Sequence, residues 1–138
     1  MAITQTTCTS FKVELLTGTH NFSSDTFKIA LYTGAATLGA DTTAYSASNE
    51  VSASGYTAGG NTLTVSTAPT SSSTIAYVSF ANTSWSSALT ARGALIYNSS
   101  KSNKAVAVLD FGADKTSSAT FTVTFPTADA TSAIIRIS

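Results

Sequence analysis

Between Ala119 and Phe125 apolar and hydroxyl side chains alternate without a break. Phe121, Val123 and Phe125 fall on one side, with Thr120, Thr122 and Thr124 on the other. A period of two marks a strand with one buried and one wet face, and it recurs along the chain. In Thr26–Thr33, Phe27, Ile29 and Leu31 oppose Lys28, Ala30 and Tyr32. Asn61–Thr67 turns Leu63 and Val65 inward, and Thr74–Phe80 sets Tyr77 and Ser79 against Ala76, Val78 and Phe80. Leu89–Asn98, Lys104–Phe111, Ala119–Phe125 and Ala133–Ile137 complete the set, with Arg136 pointing out between Ile135 and Ile137. The connections are polar: Thr70–Thr74, Asn98–Asn103, Gly112–Ser118, Pro126–Thr131 and the long stretch Gly34–Gly60. Short alternating strands with polar turns predict an all-β fold, a single-domain antiparallel β-sandwich over 1–138 with about seven to eight strands.

One segment departs from this period. Cys8, Phe11, Leu15 and Leu16 follow helical spacing, so Ser10–Thr17 is expected as a short helix. Thr9 or Ser10 would cap its start, and Gly18 stands where a glycine would end it. Residues 1–9 read as a polar N-terminal arm able to cross to a neighbouring molecule.

Charge is scarce. Asp, Glu, Lys and Arg make up 10% of the 138 residues and sum to zero net charge, against about 25% in an average globular protein. Ser and Thr, about a third of the chain, replace them. A weakly charged surface tends to associate and offers no basic stripe to nucleic acid. No apolar run approaches the roughly 20 residues that cross a bilayer, so no membrane partner is expected. The start, MAITQTTCTS, lacks the basic and apolar regions of a secretory signal. A sheet protein with few Lys or Glu on its edges needs a loop, an arm or a neighbouring subunit to cover them.

The residues that carry chemistry are few. Cys8 is the only cysteine and His20 the only histidine, too few for a zinc site. Cys8 reads as a small buried hydrophobe, with Lys12 the one neighbour in sequence able to lower its pKa. His20 reads as a turn residue in Thr-His-Asn-Phe. Asp25 is near it, but no nucleophile elbow follows. Asp110 and Asp114 flank Gly112 as turn residues and match no calcium loop. No metal, no cofactor and no enzymatic activity are expected. Trp85, in the polar stretch Asn82–Ser87, has three readings: a core plug whose indole N–H finds a partner, an interface anchor, or a sugar platform with Tyr32, Tyr45, Tyr56, Tyr77 and Tyr97. Loops at the ends of a sandwich carry binding. Thr37–Ser54 and Asn82–Ser87 are therefore the candidate contact segments, and Trp85, Tyr45, Glu50, Tyr56 and Asn82 the candidate interface residues.

Five segments in order, Phe27–Tyr32, Asn49–Gly60 (NEVSASGYTAGG), Thr90–Asn98 (TARGALIYN), Ala105–Lys115 (AVAVLDFGADK) and Phe125–Ile137 (FPTADATSAIIRI), resemble a family of small tailed-bacteriophage virion proteins. The resemblance implies a virion component assembled in the host cytoplasm. Its partners would be copies of itself, as a homo-oligomer or multi-copy assembly, and other virion proteins such as the major capsid protein. A head decoration or cement protein is the first expectation. A tail, collar or fibre-associated component is the second, and a carbohydrate- or receptor-binding module the third. The resemblance brings no catalytic residues.

Overall fold

The computed structural model describes residues 2–138. Its elements, in chain order, are β1 (Thr6–Thr7), α1 (Thr9–Leu16), β2 (Phe27–Tyr32), β3 (Asn61–Thr62), β4 (Val65–Ser72), β5 (Ile75–Phe80), β6 (Thr83–Trp85), β7 (Thr90–Asn98), a 3-10 turn (Ser99–Lys101), β8 (Lys104–Thr116), β9 (Phe121–Val123) and β10 (Ile135–Ile137). The protein is an all-β domain with one short helix. A five-stranded sheet runs in the order β1-β8-β7-β2-β3, a three-stranded sheet in the order β10-β5-β4, and β6 and β9 form a ribbon. Every strand pair is antiparallel. The ribbon joins the large sheet through Asn61 of β3, whose amide donates to Thr83 Oγ1 and the Ser84 carbonyl of β6.

The centre of the large sheet is buried on both faces. On one face Phe27 of β2 packs on Phe80 of β5 (ring centroids 5.9 Å apart) and on Phe22 (4.4 Å), which brings the three-stranded sheet and α1 against it. On the other face Tyr97 of β7 stacks on Tyr45 of the 34–60 segment at 4.8 Å, and Tyr32 donates to the Ser46 carbonyl. The 34–60 segment therefore acts as a cover. This explains why FKIALY and GALIY are almost unbroken apolar runs: a strand covered on both faces has no wet side to mark. Ile29, Leu31, Leu95 and Ile96 are fully buried, and each contributes about 1.5–3 kcal/mol from burial. Gly93 is required in β7, because a Cβ there would run into the Leu109 carbonyl and the Ile3 side chain.

Several expectations are corrected. The helix starts at Thr9 and its N-cap is Cys8, with no side-chain cap; Gly18 follows the C-cap Thr17 with φ +75°, as expected. The Thr70–Thr74 loop is strand as far as Ser72, and only Ser73 and Thr74 turn. Ladder bonds come from the backbone, so a Ser- and Thr-rich segment continues a strand when a partner is beside it. The Gly112–Ser118 turn is strand to Thr116, with Gly112 at φ +82° beside a register shift in the β7–β8 pairing. Asn82–Ser87, expected as a loop, contains β6. Asn61–Thr67 splits into β3 and the start of β4. The expected N-terminal arm, of which Met1 lies outside the described residues, is held along its own chain. Ile3 is buried and bridges Leu38, Thr6 and Thr7 pair with Val108 and Ala107, and the Cys8 N–H donates to the Val106 carbonyl.

Candidate functional site

The sequence candidates Tyr45, Glu50 and Tyr56 stand 5 and 6 residues apart in the 34–60 segment, and the fold gathers them on one carboxylate. Glu50 Oε1 accepts from the Tyr45 hydroxyl at 2.6 Å, and Oε2 accepts from the Tyr56 hydroxyl at 2.6 Å and the Gly59 N–H at 2.8 Å. Tyr56 Oη in turn accepts from the Leu31 N–H at 2.8 Å, and Leu31's carbonyl accepts from the Val51 N–H. Tyr97 donates to the Gly59 carbonyl at 2.6 Å. The physical cause is the short β3. It pairs β2 only at Lys28 and Ile29, so the outward N–H and C=O of Leu31 need partners that no strand supplies. Tyr56 and Val51 supply them.

The phenols around Glu50 are all held protonated. Burial, then Glu50, pushes Tyr45 and Tyr56 well above the ordinary tyrosine range, and burial with Glu50's charge does the same to Tyr32. Tyr97 is pushed up to about 12, by burial first and then by Glu50. The carboxylate thus works as a fixed acceptor for three donors, which makes the cluster a clasp holding the cover on the sheet.

The other candidates do not complete a surface site. Trp85 is 4% exposed, with its ring 5.8 Å from Tyr56 and 6.3 Å from Phe121. It plugs the core and presents no face to a sugar. The expected partner for its indole is missing: Nε1–H has no acceptor among the described residues. Asn82 stands apart at the mouth of the ribbon, where Oδ1 accepts from the Phe125 N–H at 2.8 Å.

His20, expected as a turn residue in Thr-His-Asn-Phe, is assigned no turn. It is buried beside the rings of Phe11 and Phe27. Asn98 fixes its tautomer. Asn98 Oδ1 accepts from the Ser100 N–H, and Nδ2 donates to Asp25 Oδ2 at 2.8 Å, so Nδ2 is also the donor to His20 Nδ1 at 3.0 Å. Nε2 then carries the proton and donates to Glu14 Oε1 at 2.8 Å. Both ring nitrogens are engaged, so neither is free to take a proton from a nucleophile. Asp25 pairs with Asn98 and Lys101. Burial pushes its carboxyl up, but the Asn98 amide, the Asn21 N–H and Lys101 outweigh burial and hold it below the ordinary range. Asp110 accepts from the Gly112 N–H and from Arg92, which is turn and pairing chemistry. Cys8 is fully buried. Its thiol is pushed up to about 11 by burial, then by Glu14 and Asp41, while Lys12 does not offset them.

One surface feature escaped the sequence reading. Among the described residues the large apolar side chains left exposed are Val13, Leu16 and Ile137, at 57, 91 and 54%. Val13 and Leu16 are one turn apart on α1, and Leu16 and Ile137 line one groove between α1 and β10. Helical spacing placed Leu16 inside with Phe11 and Leu15. A helix of eight residues buries one narrow stripe, and Leu16 lies about 100° round from Leu15, outside that stripe.

Fold and site together define a small all-β protein with a short helix, whose polar clusters face inward and whose open apolar surface gathers at one sheet edge. No family model, curated protein or solved structure matches the chain.

Proposed function

We propose that this chain is a non-enzymatic structural protein of a tailed-bacteriophage virion, acting as a head decoration or cement protein through protein–protein contacts. The virion setting comes from the sequence resemblance of five ordered segments. The observation that carries the packing role is the exposure of Leu16 and Ile137 along one groove between α1 and β10, an end strand of its sheet, with Val13 exposed one turn before Leu16 on the helix. Exposed apolar residues scattered singly need no explanation, but a cluster at an open strand edge marks an interaction surface. The polar clusters support the same reading, since Glu50, His20 and Asn98 satisfy groups of the chain's own backbone and side chains.

Purified protein added to particles lacking it tests the proposal. The expected result is saturable binding of on the order of hundreds of copies per particle, as symmetric occupation of a head requires. About a dozen copies would assign it to the tail or collar instead. No binding to particles together with no self-association would overturn the structural role.

A further inference from the structure

We propose that the groove between α1 and β10 receives an extended acidic segment of another protein, which adds to the open edge of β10 as a further strand. This deepens the assembly reading by naming the partner's chemistry. The groove has a volume of about 320 Å³, with Phe11, Leu15, Leu16, Ile135 and Ile137 as its apolar wall and Lys12 and Arg136 as its charged residues. Both cations are exposed and belong to no ion pair among the described residues. The nearest acid on the helix, Glu14, is held by His20 and Lys104. Beside them, among the described residues, β10 pairs only with β5, so its outer edge carries unpaired backbone groups.

These three features select one kind of occupant. An open edge selects an extended backbone, whose alternate side chains enter the groove. The apolar wall selects Val, Ile or Leu at those positions. Two uncompensated cations select Asp or Glu between them, because charge complementarity sets encounter and register.

A second copy of the chain does not fit this description. Of its seven acids, Glu14, Asp25, Glu50, Asp110 and Asp129 are held by groups of the same chain. The remaining two, Asp41 and Asp114, lie in Gly-Ala-Asp-Thr and Gly-Ala-Asp-Lys, with no large apolar neighbour. The occupant is therefore a segment from a different protein.

The test uses the full chain and two labelled peptides, one alternating Glu and Val and one alternating Lys and Val, followed by fluorescence polarisation. The Glu peptide is expected to bind at least ten-fold more tightly than the Lys peptide, and to weaken as salt is raised. The double variant Lys12→Glu/Arg136→Glu, at two exposed positions, is expected to reverse the preference. The neutral pair Lys12→Gln/Arg136→Gln is expected to abolish it. Equal binding of both peptides, failure of the Glu peptide to bind, or an unchanged preference in the variants would overturn the proposal. So would a dimer in sedimentation that Arg136→Glu dissolves, since the occupant would then be a second copy. Particle incorporation separates the two readings. Peptide failure with incorporation intact overturns only the occupant, whereas peptide binding without incorporation overturns only the virion role.

Discussion

Tyr56→Phe removes a single oxygen and breaks two bonds of the clasp. The hydroxyl donates to Glu50 at 2.6 Å and accepts from the Leu31 N–H at 2.8 Å. Loss of a bond to a charged group costs about 1.5–3 kcal/mol, and a buried N–H left without an acceptor costs about 1–3 kcal/mol. Glu50 keeps Tyr45 and Gly59 as donors and is half-exposed, so water recovers part of the first loss. Leu31 is fully buried, so the second is paid in full. The expected destabilisation is about 2–4 kcal/mol, a large share of the roughly 5–15 kcal/mol that holds a domain together. Urea unfolding followed by circular dichroism measures it, with Tyr77→Phe as the control. Tyr77 is half-buried on β5, and removing its hydroxyl is expected to change stability by no more than about 0.5 kcal/mol. Glu50→Gln in the same background completes a double-mutant cycle, with an expected coupling of about 0.5–3 kcal/mol. A Tyr56→Phe cost below about 1 kcal/mol, or one equal to that of Tyr77→Phe, would refute the clasp as what holds the cover down.

Four further outcomes follow from the same geometry. Tyr32, Tyr45, Tyr56 and Tyr97 are raised in the folded state. Their contribution is full below the ordinary tyrosine value of 10.0 and is lost as pH rises through the folded values, about 12 for Tyr97; phenolate absorbance from the four should therefore appear together with loss of circular dichroism. Asp25 is lowered in the folded state, so its contribution is present above the ordinary carboxylate range and is lost as pH falls through its folded value; Asp25→Asn should flatten the acid limb of a stability-against-pH curve. The Cys8 thiol, fully buried and raised to about 11, should resist iodoacetamide at neutral pH in the native protein and react readily in urea, read by mass. Gly60→Ala, at φ +77° with its Cβ driven into the Ile29 carbonyl, should destabilise by about 4 kcal/mol or more in thermal unfolding.

What the sequence revealed depended on how many faces of an element are buried. Phe121 and Val123 alternate with exposed Thr residues, and that strand was legible at once. β2 and β7 were legible as strands, but their period of two hid a second buried face. Periodicity alone assigns Ala30 and Tyr32 to a wet side, whereas both are buried and Tyr32 bonds the 34–60 segment at Ser46. The cover itself has little periodicity, because its role is met by single contacts such as Tyr45 on Tyr97 and Tyr56 on Leu31. Three members of the clasp were singled out as aromatic and acidic loop residues, and the fold does gather them. Their part in satisfying β2 is not legible, because an unpaired N–H on β2 leaves no mark in a sequence. His20 was missed for a related reason: its partners Glu14 and Asn98 are 6 and 78 residues away. The exposed Leu16 was hidden by a helix too short for its apolar stripe to be told from its flank.

The scarcity of charge takes on a more specific meaning once its placement is known. Between Glu50 and Arg92 the chain has no charged residue at all, and this stretch includes β4, whose eight residues are almost entirely exposed at a sheet end. An uncharged open edge is prone to pair with other chains. Here Pro69 removes one backbone donor, and register shifts break the pairing at Val65/Thr67 and Thr67/Thr70, two devices that blunt an edge without charge. β10 has neither device. It is an end strand with no proline and no register shift, carrying Arg136 and the exposed Ile137, with Leu16 and Lys12 across the groove and neither cation in an ion pair among the described residues. The two end strands of one sheet are thus treated in opposite ways, β4 blunted and β10 left open. A fold that protects one edge and leaves apolar surface beside the other directs association to β10. The same contrast separates specific docking from general stickiness: Ile137→Lys should abolish partner binding, whereas Thr70→Lys on β4 should leave it within two-fold of the parent, both read by co-sedimentation. Equal loss in the two variants would mean that association runs along the whole sheet and that β10 has no special place in it.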